Sequence, residues 1–298
     1  MTATSPRERA ARLAVGAIGA GRVGAVLLAA LGRAGHRPVA VAAVSDASRR
    51  RAQALVPYAT VMPADEVAAA SDLLLLAVPD DVLADLVVGL ANAGTTRPGT
   101  IVVHTSGAHG YRVLDPLTRA GGLPLALHPV MTFTGTDVDL QRLVGASFGV
   151  TAPDELRVVG EALVVEMGGE PVWVPEDARP LYHAALAFGA NNLVTLVNTA
   201  ADLLRGGGVE EPTRVLGPLL SAALDNALRH GDAALTGPVS RGDVGTVRTH
   251  LDILTTPEVR AAYVALARLT ALRAMAAGRL SAEQAEPLLG VLSSGGAS

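Results

Sequence analysis

The chain contains no cysteine and no lysine, and only 3% of its 298 residues are aromatic. Without cysteine, disulfides, thiolate nucleophiles and cysteine-ligated zinc are excluded together. Without lysine there is no Schiff-base amine, no Walker A lysine and no lysine general acid, and all 24 basic residues are arginines. One Trp, three Phe and four Tyr leave the core to Ala, Val and Leu, because half of the chain is hydrophobic. A net charge of −4 provides no basic field for nucleic acid. Charges and glycines interrupt every apolar stretch short of the roughly 18 residues that a membrane span needs, so none is expected. The opening M-T-A-T-S-P-R-E-R-A-A-R lacks the apolar core of a secretory signal, and a cytoplasmic location is expected.

What is present begins with V-G-A-I-G-A-G-R-V-G, Val15 to Gly24. An apolar run, Leu13 to Ile18, feeds into Gly19-Ala20-Gly21-Arg22-Val23-Gly24 and then into a helical pattern through Ala34, the strand, glycine turn, helix order of a dinucleotide-binding unit. Gly19 permits the tight turn, Gly21 lets backbone approach a pyrophosphate, and Gly24 lets the helix lie close on its strand. Alone the motif is weak; its context gives it weight. After a second strand, Val39 to Val44, comes S-D-A-S-R-R-R, where the adenine ribose would sit. Asp46 there would favour a free 2′-hydroxyl and NAD, the alternative cofactor. Ser45, Ser48 and Arg49 would instead cradle a 2′-phosphate at a helix start, and NADP is the expectation. The bland alternative makes Ser45 only a helix cap and the arginines a solvated face.

Ala59 to Val61, Leu73 to Val78, Thr100 to His104, Leu125 to His128, Ser147 to Thr151 and Val172 to Val174 read as further strands, with a helix at Asp154 to Met167. This alternation predicts an α/β fold: a doubly wound parallel Rossmann-like sheet in a domain of residues 1–175. Pro79 and Asp80, after the fourth strand, would face the nicotinamide half of the cofactor. From Glu176 strand signals cease, so a smaller all-helical domain is expected over residues 176–298. Its first helix, Leu181 to Leu204, would be ~36 Å long at 1.5 Å per residue and would line a shared cleft. Thr213 to His230, Val244 to Leu254, Glu258 to Ala277 and Ala282 to Leu292 complete the helices.

Polar islands interrupt these elements. H-T-S-G-A-H-G (His104 to Gly110) and L-H-P-V-M-T-F (Leu127 to Phe133) lie at carboxyl ends of strands, where open α/β sheets bind ligands. Ser106 and His128 offer a hydroxyl and an imidazole that can polarise a carbonyl or take a proton from an alcohol. His104, at the end of a buried strand, reads as a satisfied core histidine. On the long helix, His183 and Asn191 are eight residues apart, ~80° in projection, and would share a face. In L-T-G-P-V-S-R-G-D, Arg241 would hold a substrate carboxylate and Asp243 would cap the next helix.

With G-A-G-R-V-G, A-V-P-D-D, H-T-S-G-A-H-G, L-H-P-V-M-T-F, Y-H-A-A and L-T-G-P-V-S-R-G-D in this order, and His250 beyond them, the chain resembles the family that joins a Rossmann-like domain to a DUF2520 domain. Broader similarity runs to the 6-phosphogluconate dehydrogenase-like superfamily, including prephenate dehydrogenase, pyrroline-5-carboxylate reductase and ketopantoate reductase. Resemblance to prephenate dehydrogenase implies that Ser106 and His128 act on a substrate hydroxyl; the absence of lysine departs from the lysine-using members, and His183 stands near that position.

The expectation is therefore an NADP-dependent oxidoreductase. It would transfer hydride between nicotinamide and a carbonyl or alcohol of a small carboxylated metabolite, such as a ketopantoate-like keto acid. His128, Ser106 and His183 would be catalytic, and Asn191 and Arg241 would bind substrate. An imine reductase and a non-catalytic NADP-binding sensor are the alternatives, and flavin or F420 as a second hydride carrier stays open. A homodimer through the helical domain is expected.

Overall fold

The structure is a computed structural model and describes residues 12–294. The opening segment read for a secretory signal lies, through residue 11, outside the described residues. The chain divides into two compact units, the first ending at Phe188 and the second beginning at Gly189.

The first unit is built on eight strands: β1 (Ala14–Ile18), β2 (Arg37–Ala42), β3 (Thr60–Val61), β4 (Leu73–Leu76), β5 (Ile101–His104), β6 (Leu123–Pro129), β7 (Ser147–Thr151) and β8 (Glu170–Trp173). Their order is β3-β2-β1-β4-β5-β6-β7-β8. The chain leaves β1 in one direction and returns to β4 on its other side, which makes the carboxyl ends of β1 and β4 a topological switch point. Among the described residues eight α-helices accompany the strands: α1 (Arg22–Arg33), α2 (Asp46–Leu55), α3 (Ala64–Ala70), α4 (Asp80–Ala93), α5 (Asp115–Arg119), α6 (Val138–Arg142), α7 (Arg157–Glu166) and α8 (Arg179–Leu186).

Four consecutive leucines show why the sheet is covered on both faces. Leu73 and Leu75 pack into one core with α1 and α7, while Leu74 and Leu76 pack into a second core with α3 and α4. The side-chain period of two sends neighbours to opposite faces, and burying each leucine contributes about 2 kcal/mol.

The parallel sheet expected through residue 175 holds for β1 to β6. It then needs correction. β7 runs antiparallel to β6, with His128 opposite Gly149, and β8 runs parallel to β7. The connection between β6 and β7 is folded back by Asp139, a fully buried carboxylate that accepts from the N–H groups of Thr134 (2.8 Å) and Gly135 (2.7 Å) and from the Thr134 hydroxyl (3.0 Å). Burial works to raise the Asp139 pKa, but those donors outweigh it and hold the carboxyl below its ordinary value. Held at the end where β6 stops, the chain re-enters the sheet in the opposite sense.

The first unit also reaches past residue 175, because α8 packs into it through Arg179, whose side chain is fully buried. Tyr182 and His183 thereby belong with the sheet rather than with the helical unit. The single helix expected over Leu181 to Leu204 is instead α8, a π-helical turn at Ala187–Asn191, and α9 (Asn192–Gly206). A π turn inserts a residue into the helical repeat, so the 80° spacing between His183 and Asn191 does not apply.

The second unit continues with α10 (Pro212–His230), α11 (Val244–Ile253), α12 (Pro257–Ala276) and α13 (Ala282–Ser294). Its core is made by residues of α11 to α13 with Val239 and Leu280, including Val247, Leu251, Ala271 and Leu288. Among the described residues no helix is long and apolar enough to cross a membrane.

Candidate functional site

The glycine turn opens a cleft of about 760 Å³ at the switch point, lined by Gly19 and Gly21 from the turn, Ser45, Ser48 and Arg49 after β2, and Pro79 after β4. Gly19 stands at φ +99°, a conformation open to glycine and strained for other residues. A Cβ on Gly24 would lie 2.0 Å from the Gly19 carbonyl oxygen, so only glycine lets α1 approach the strand this closely. A Cβ on Gly21 would meet nothing within 4 Å, and here the backbone faces open space. Gly21 caps α1 without a side chain, and the first turn holds no acidic residue. The free N–H groups and the positive end of the helix dipole are thus left for an anion, which fits a pyrophosphate.

Four residues expected to bind cofactor lie outside the cleft lining. Val23 packs against the core, Gly24 is buried in the helix–strand contact, Arg22 is exposed on the first turn of α1, and Asp80 begins α4. At the ribose end both readings of Ser45 hold. Its hydroxyl caps α2 by accepting from the Ser48 N–H at 3.2 Å, and it also lines the cleft. The Ser48 hydroxyl donates to the Ser45 carbonyl at 2.7 Å, and the Arg49 Nε donates to the Ala43 carbonyl at 3.3 Å. The Asp46 carboxylate is 83% exposed, lies outside the cleft lining, and stands 3.6 Å from the Arg49 guanidinium.

Along the sheet from this cleft, β5 ends in His104 and β6 carries His128 one residue before its end, and the two histidines have different roles. His104 is fully buried; its Nε2 lies 2.8 Å from the Gly110 carbonyl oxygen and its Nδ1 accepts from the Ser106 N–H at 3.2 Å. These partners require the neutral ring with hydrogen on Nε2. Burial, aided by the Arg179 charge, lowers its pKa to about 4. His104 is a structural histidine that shapes the loop after β5.

His128 differs. Its Nδ1 is 2.9 Å from the Tyr182 hydroxyl, the two rings meeting edge to face with centroids 5.6 Å apart. The His183 ring centroid lies 6.2 Å from that of His128. Gly107 closes the group from the β5 loop: a Cβ there would stand 2.7 Å from the His183 Cδ2 and 3.0 Å from the His128 Nε2. Burial first, then the charges of Arg179 and His183, lower the His128 pKa to about 4, while Asp80 pulls weakly the other way. The ring is therefore neutral at physiological pH and either donates or accepts at Nε2 according to its tautomer.

Among the described residues no hydrogen bond joins Ser106 to His128. The Ser106 hydroxyl oxygen accepts the N–H groups of Ala108 and His109, each at 3.2 Å, and its hydrogen bonds shape the turn. Tyr182 is the partner that His128 has. Sequence reasoning passed over Tyr182, although it adjoins His183 in Y-H-A-A, and over Arg179, a charged residue one turn earlier. Asn191 and Arg241 belong to the second unit, where Asn191 ends the π turn and Arg241 is exposed at the end of the 3₁₀ turn Val239–Arg241. Asp243 caps α11, accepting from the Thr246 N–H at 3.0 Å.

The fold has solved relatives. A candidate NADP oxidoreductase from Bacteroides fragilis is 24% identical with a TM-score of 0.72, over 87% of this chain and 98% of that one. An imine reductase from a Pseudomonas species is 20% identical with a TM-score of 0.58, over 89% of this chain and 88% of its own. A pyrroline carboxylate reductase from Plasmodium falciparum with NADP bound is 10% identical with a TM-score of 0.53, over 96% and 97% of the two chains. At these identities the likeness is one of fold. No curated protein matches the chain by sequence. The Rossmann-like domain family matches residues 1–129, and DUF2520, a domain family of unknown function, matches residues 146–270. With both domains in that order, the chain belongs to the family that joins a Rossmann-like domain to a DUF2520 domain.

Proposed function

We propose that the protein is an NADP-dependent oxidoreductase that reduces the carbonyl of a small carboxylated metabolite, or oxidises the corresponding alcohol. The observation that carries this reading is the hydrogen-bonded pair His128–Tyr182 at the carboxyl end of β6, in the same sheet as a glycine-turn cleft suited to a dinucleotide. Gly19 and Gly21 would take the pyrophosphate on α1, and Ser45, Ser48 and Arg49 the 2′-phosphate, with Asp46 outside the cleft lining. When bound, the reduced nicotinamide supplies the hydride and its electron pair.

The chain's own contribution is a proton. With hydrogen on His128 Nδ1, the ring donates to the Tyr182 oxygen and leaves the phenolic hydrogen free for a substrate oxygen. With hydrogen on Nε2, the phenol donates to Nδ1 and the ring offers its Nε2–H. Either way the pair presents one donor to substrate and has a second behind it. His183 and Gly107 bound the space beside Nε2. A donor of this kind also serves an imine nitrogen, which keeps imine reduction as the second reading.

Calorimetric titration should show NADPH binding more tightly than NADH, and Arg49→Ala should remove the difference; equal affinities in the parent would return the ribose to Asp46. NADPH consumption with a panel of 2-keto acids should fall ~100-fold to 10,000-fold in His128→Ala and Tyr182→Phe while NADPH affinity is kept. Turnover at the parent rate in both variants would refute the assignment of the pair.

A further inference from the structure

Arg179 is the largest fully buried side chain of the described residues, and it has no carboxylate. Its Nε donates to the Thr151 hydroxyl at 2.7 Å, and that hydroxyl in turn donates to the Val174 carbonyl at 2.6 Å. Its Nη2 donates to the carbonyls of Ala126 (3.1 Å) and Gly149 (2.9 Å), and its Nη1 to that of Ser106 (3.3 Å). None of the ion pairs among the described residues involves it. A guanidinium stays protonated even when buried, so the interior of the sheet edge holds a full positive charge met only by dipoles. A buried charge of this kind is costly to keep, and hydrophobic packing or an ion pair would close the same sheet edge at lower cost.

Its place explains what the charge acts on. The guanidinium carbon lies 5.5 Å from the Tyr182 ring centroid, and the Tyr182 hydroxyl lies 2.9 Å from His128. The three strands or loops it grips, at Ser106, Ala126 and Gly149, are those that carry Gly107, His128 and the residue opposite His128 in the sheet. One side chain thus ties the strands and loop of the site together and adds a positive charge to the effect of burial there. The other ionisable groups acting on this region are His183 and Asp80 on His128, and Glu176 on Arg179. Asp80 acts on His128 more weakly than burial, Arg179 and His183, and Glu176 acts on Arg179 more weakly than burial and Tyr182.

We propose that Arg179 is a positioning residue whose uncompensated charge adapts the His128–Tyr182 site to a substrate atom that becomes negative during reaction, a carbonyl oxygen, and against one that must first become positive, a protonated imine nitrogen. In carbonyl reduction, hydride from reduced nicotinamide forms a C–H bond and the C=O π pair moves onto oxygen. That oxygen takes a proton from the His128–Tyr182 pair, which regains one from water. A fixed cation stabilises the charge building on oxygen without reorganising. An imine must carry a proton on nitrogen before hydride adds, which places a second cation beside Arg179 and a low-dielectric wall. The lowered pKa of His128 agrees with a site whose potential opposes added positive charge.

This inference rests on the oxidoreductase reading, and its test separates the two. In isotope-labelled protein followed by NMR, His128 should protonate near pH 4 in the parent and in Arg179→Lys, and about one pH unit higher in Arg179→Gln, the scale expected for removing one nearby unit charge at an effective dielectric near 20. An unmoved His128 midpoint in a folded Arg179→Gln protein would overturn the proposal, whatever the substrate proves to be. Should Arg179→Gln fail to fold, the parent decides: formate should shift the His128 resonances saturably and methylammonium should not, and an equal or stronger response to methylammonium would overturn it. With NADPH, 2-keto acids should be consumed in preference to 2-methyl-1-pyrroline, with the preference about tenfold smaller in Arg179→Gln and retained in Arg179→Lys; the reverse order in the parent would also overturn it. Consumption of neither compound would count against the oxidoreductase reading, while the His128 titration would still decide the role of Arg179.

Discussion

Acidification to pH 5 should destabilise the sheet unit without unfolding it, and His104 makes the effect measurable. His104 and His128 are both held neutral, with pKa values lowered from 6.5 to about 4. A histidine depressed in the folded state contributes stability that is whole above its unfolded pKa and is lost as pH falls from 6.5 toward 4. Going from pH 7.5 to pH 5, each of the two should cost about 2 kcal/mol, so the unit should lose about 4 kcal/mol. That is a large part of an ordinary margin of about 5–15 kcal/mol. The carboxylate of Asp139, held below its ordinary value, begins to lose stability only under pH 4 and leaves this window clear. The single tryptophan, Trp173, sits in β8 with its indole N–H on Glu161 at 2.7 Å, so its fluorescence during urea unfolding reports the sheet unit alone. In His104→Gln, one of the two ring contacts is lost at a cost of roughly 1–3 kcal/mol at neutral pH. The acid loss should then shrink by about half. A parent stability that is flat between pH 7.5 and pH 5, or a variant with the parent's full slope, would refute the reasoning.

Gly107→Ala would put a methyl 2.7 Å from the His183 Cδ2 and 3.0 Å from the His128 Nε2. It should displace the His128 ring and lower turnover ~100-fold with NADPH affinity unchanged, and unchanged turnover would show that the ring's position does not matter. The proposed homodimer draws on α9 and α10, which bury only Ala201, Pro212 and Leu216 while Val194, Leu219 and Leu228 stand exposed. Light scattering should return twice the 30.2 kDa chain mass, and a monomer at micromolar concentration would reject it.

The parts of the fold that sequence reasoning recovers are those where pattern and chemistry agree. Leu73 to Val78 reads as a doubly buried strand because it is a continuous apolar run bounded by Asp72 and Pro79, and β4 forms over its four leucines. The glycine turn reads as a cleft because Gly19 and Gly24 answer to steric limits. The reversal at β7 escapes because strand patterning carries no direction, and the device that turns the chain is a buried Asp139 whose value lies in backbone contacts. The π turn escapes for a similar reason, since A-F-G-A-N continues an apolar helical pattern without a break. At the site, residue type pointed to His128 but not to the Tyr182 hydroxyl beside it. That the Ser106 oxygen also accepts two backbone N–H groups is a feature of loop geometry that residue type does not disclose. Arg179 looks like a surface charge until the sheet closes around it.

The pairing of β1 with β4 also governs when this sheet can form. Val15 lies opposite Leu73 and Ala14 donates its N–H to Asp72, 58 residues along the chain. A growing polypeptide therefore makes β1, β2 and β3 with one edge of β1 open, and closes that edge only after β4 has been synthesised. Contacts of this separation fold slowly, and the open edge of a strand reading A-V-G-A-I is a template for pairing with another chain. Recovery from denaturant should accordingly be governed by one slow, long-range docking event at the centre of the sheet, with aggregation competing against it at high protein concentration.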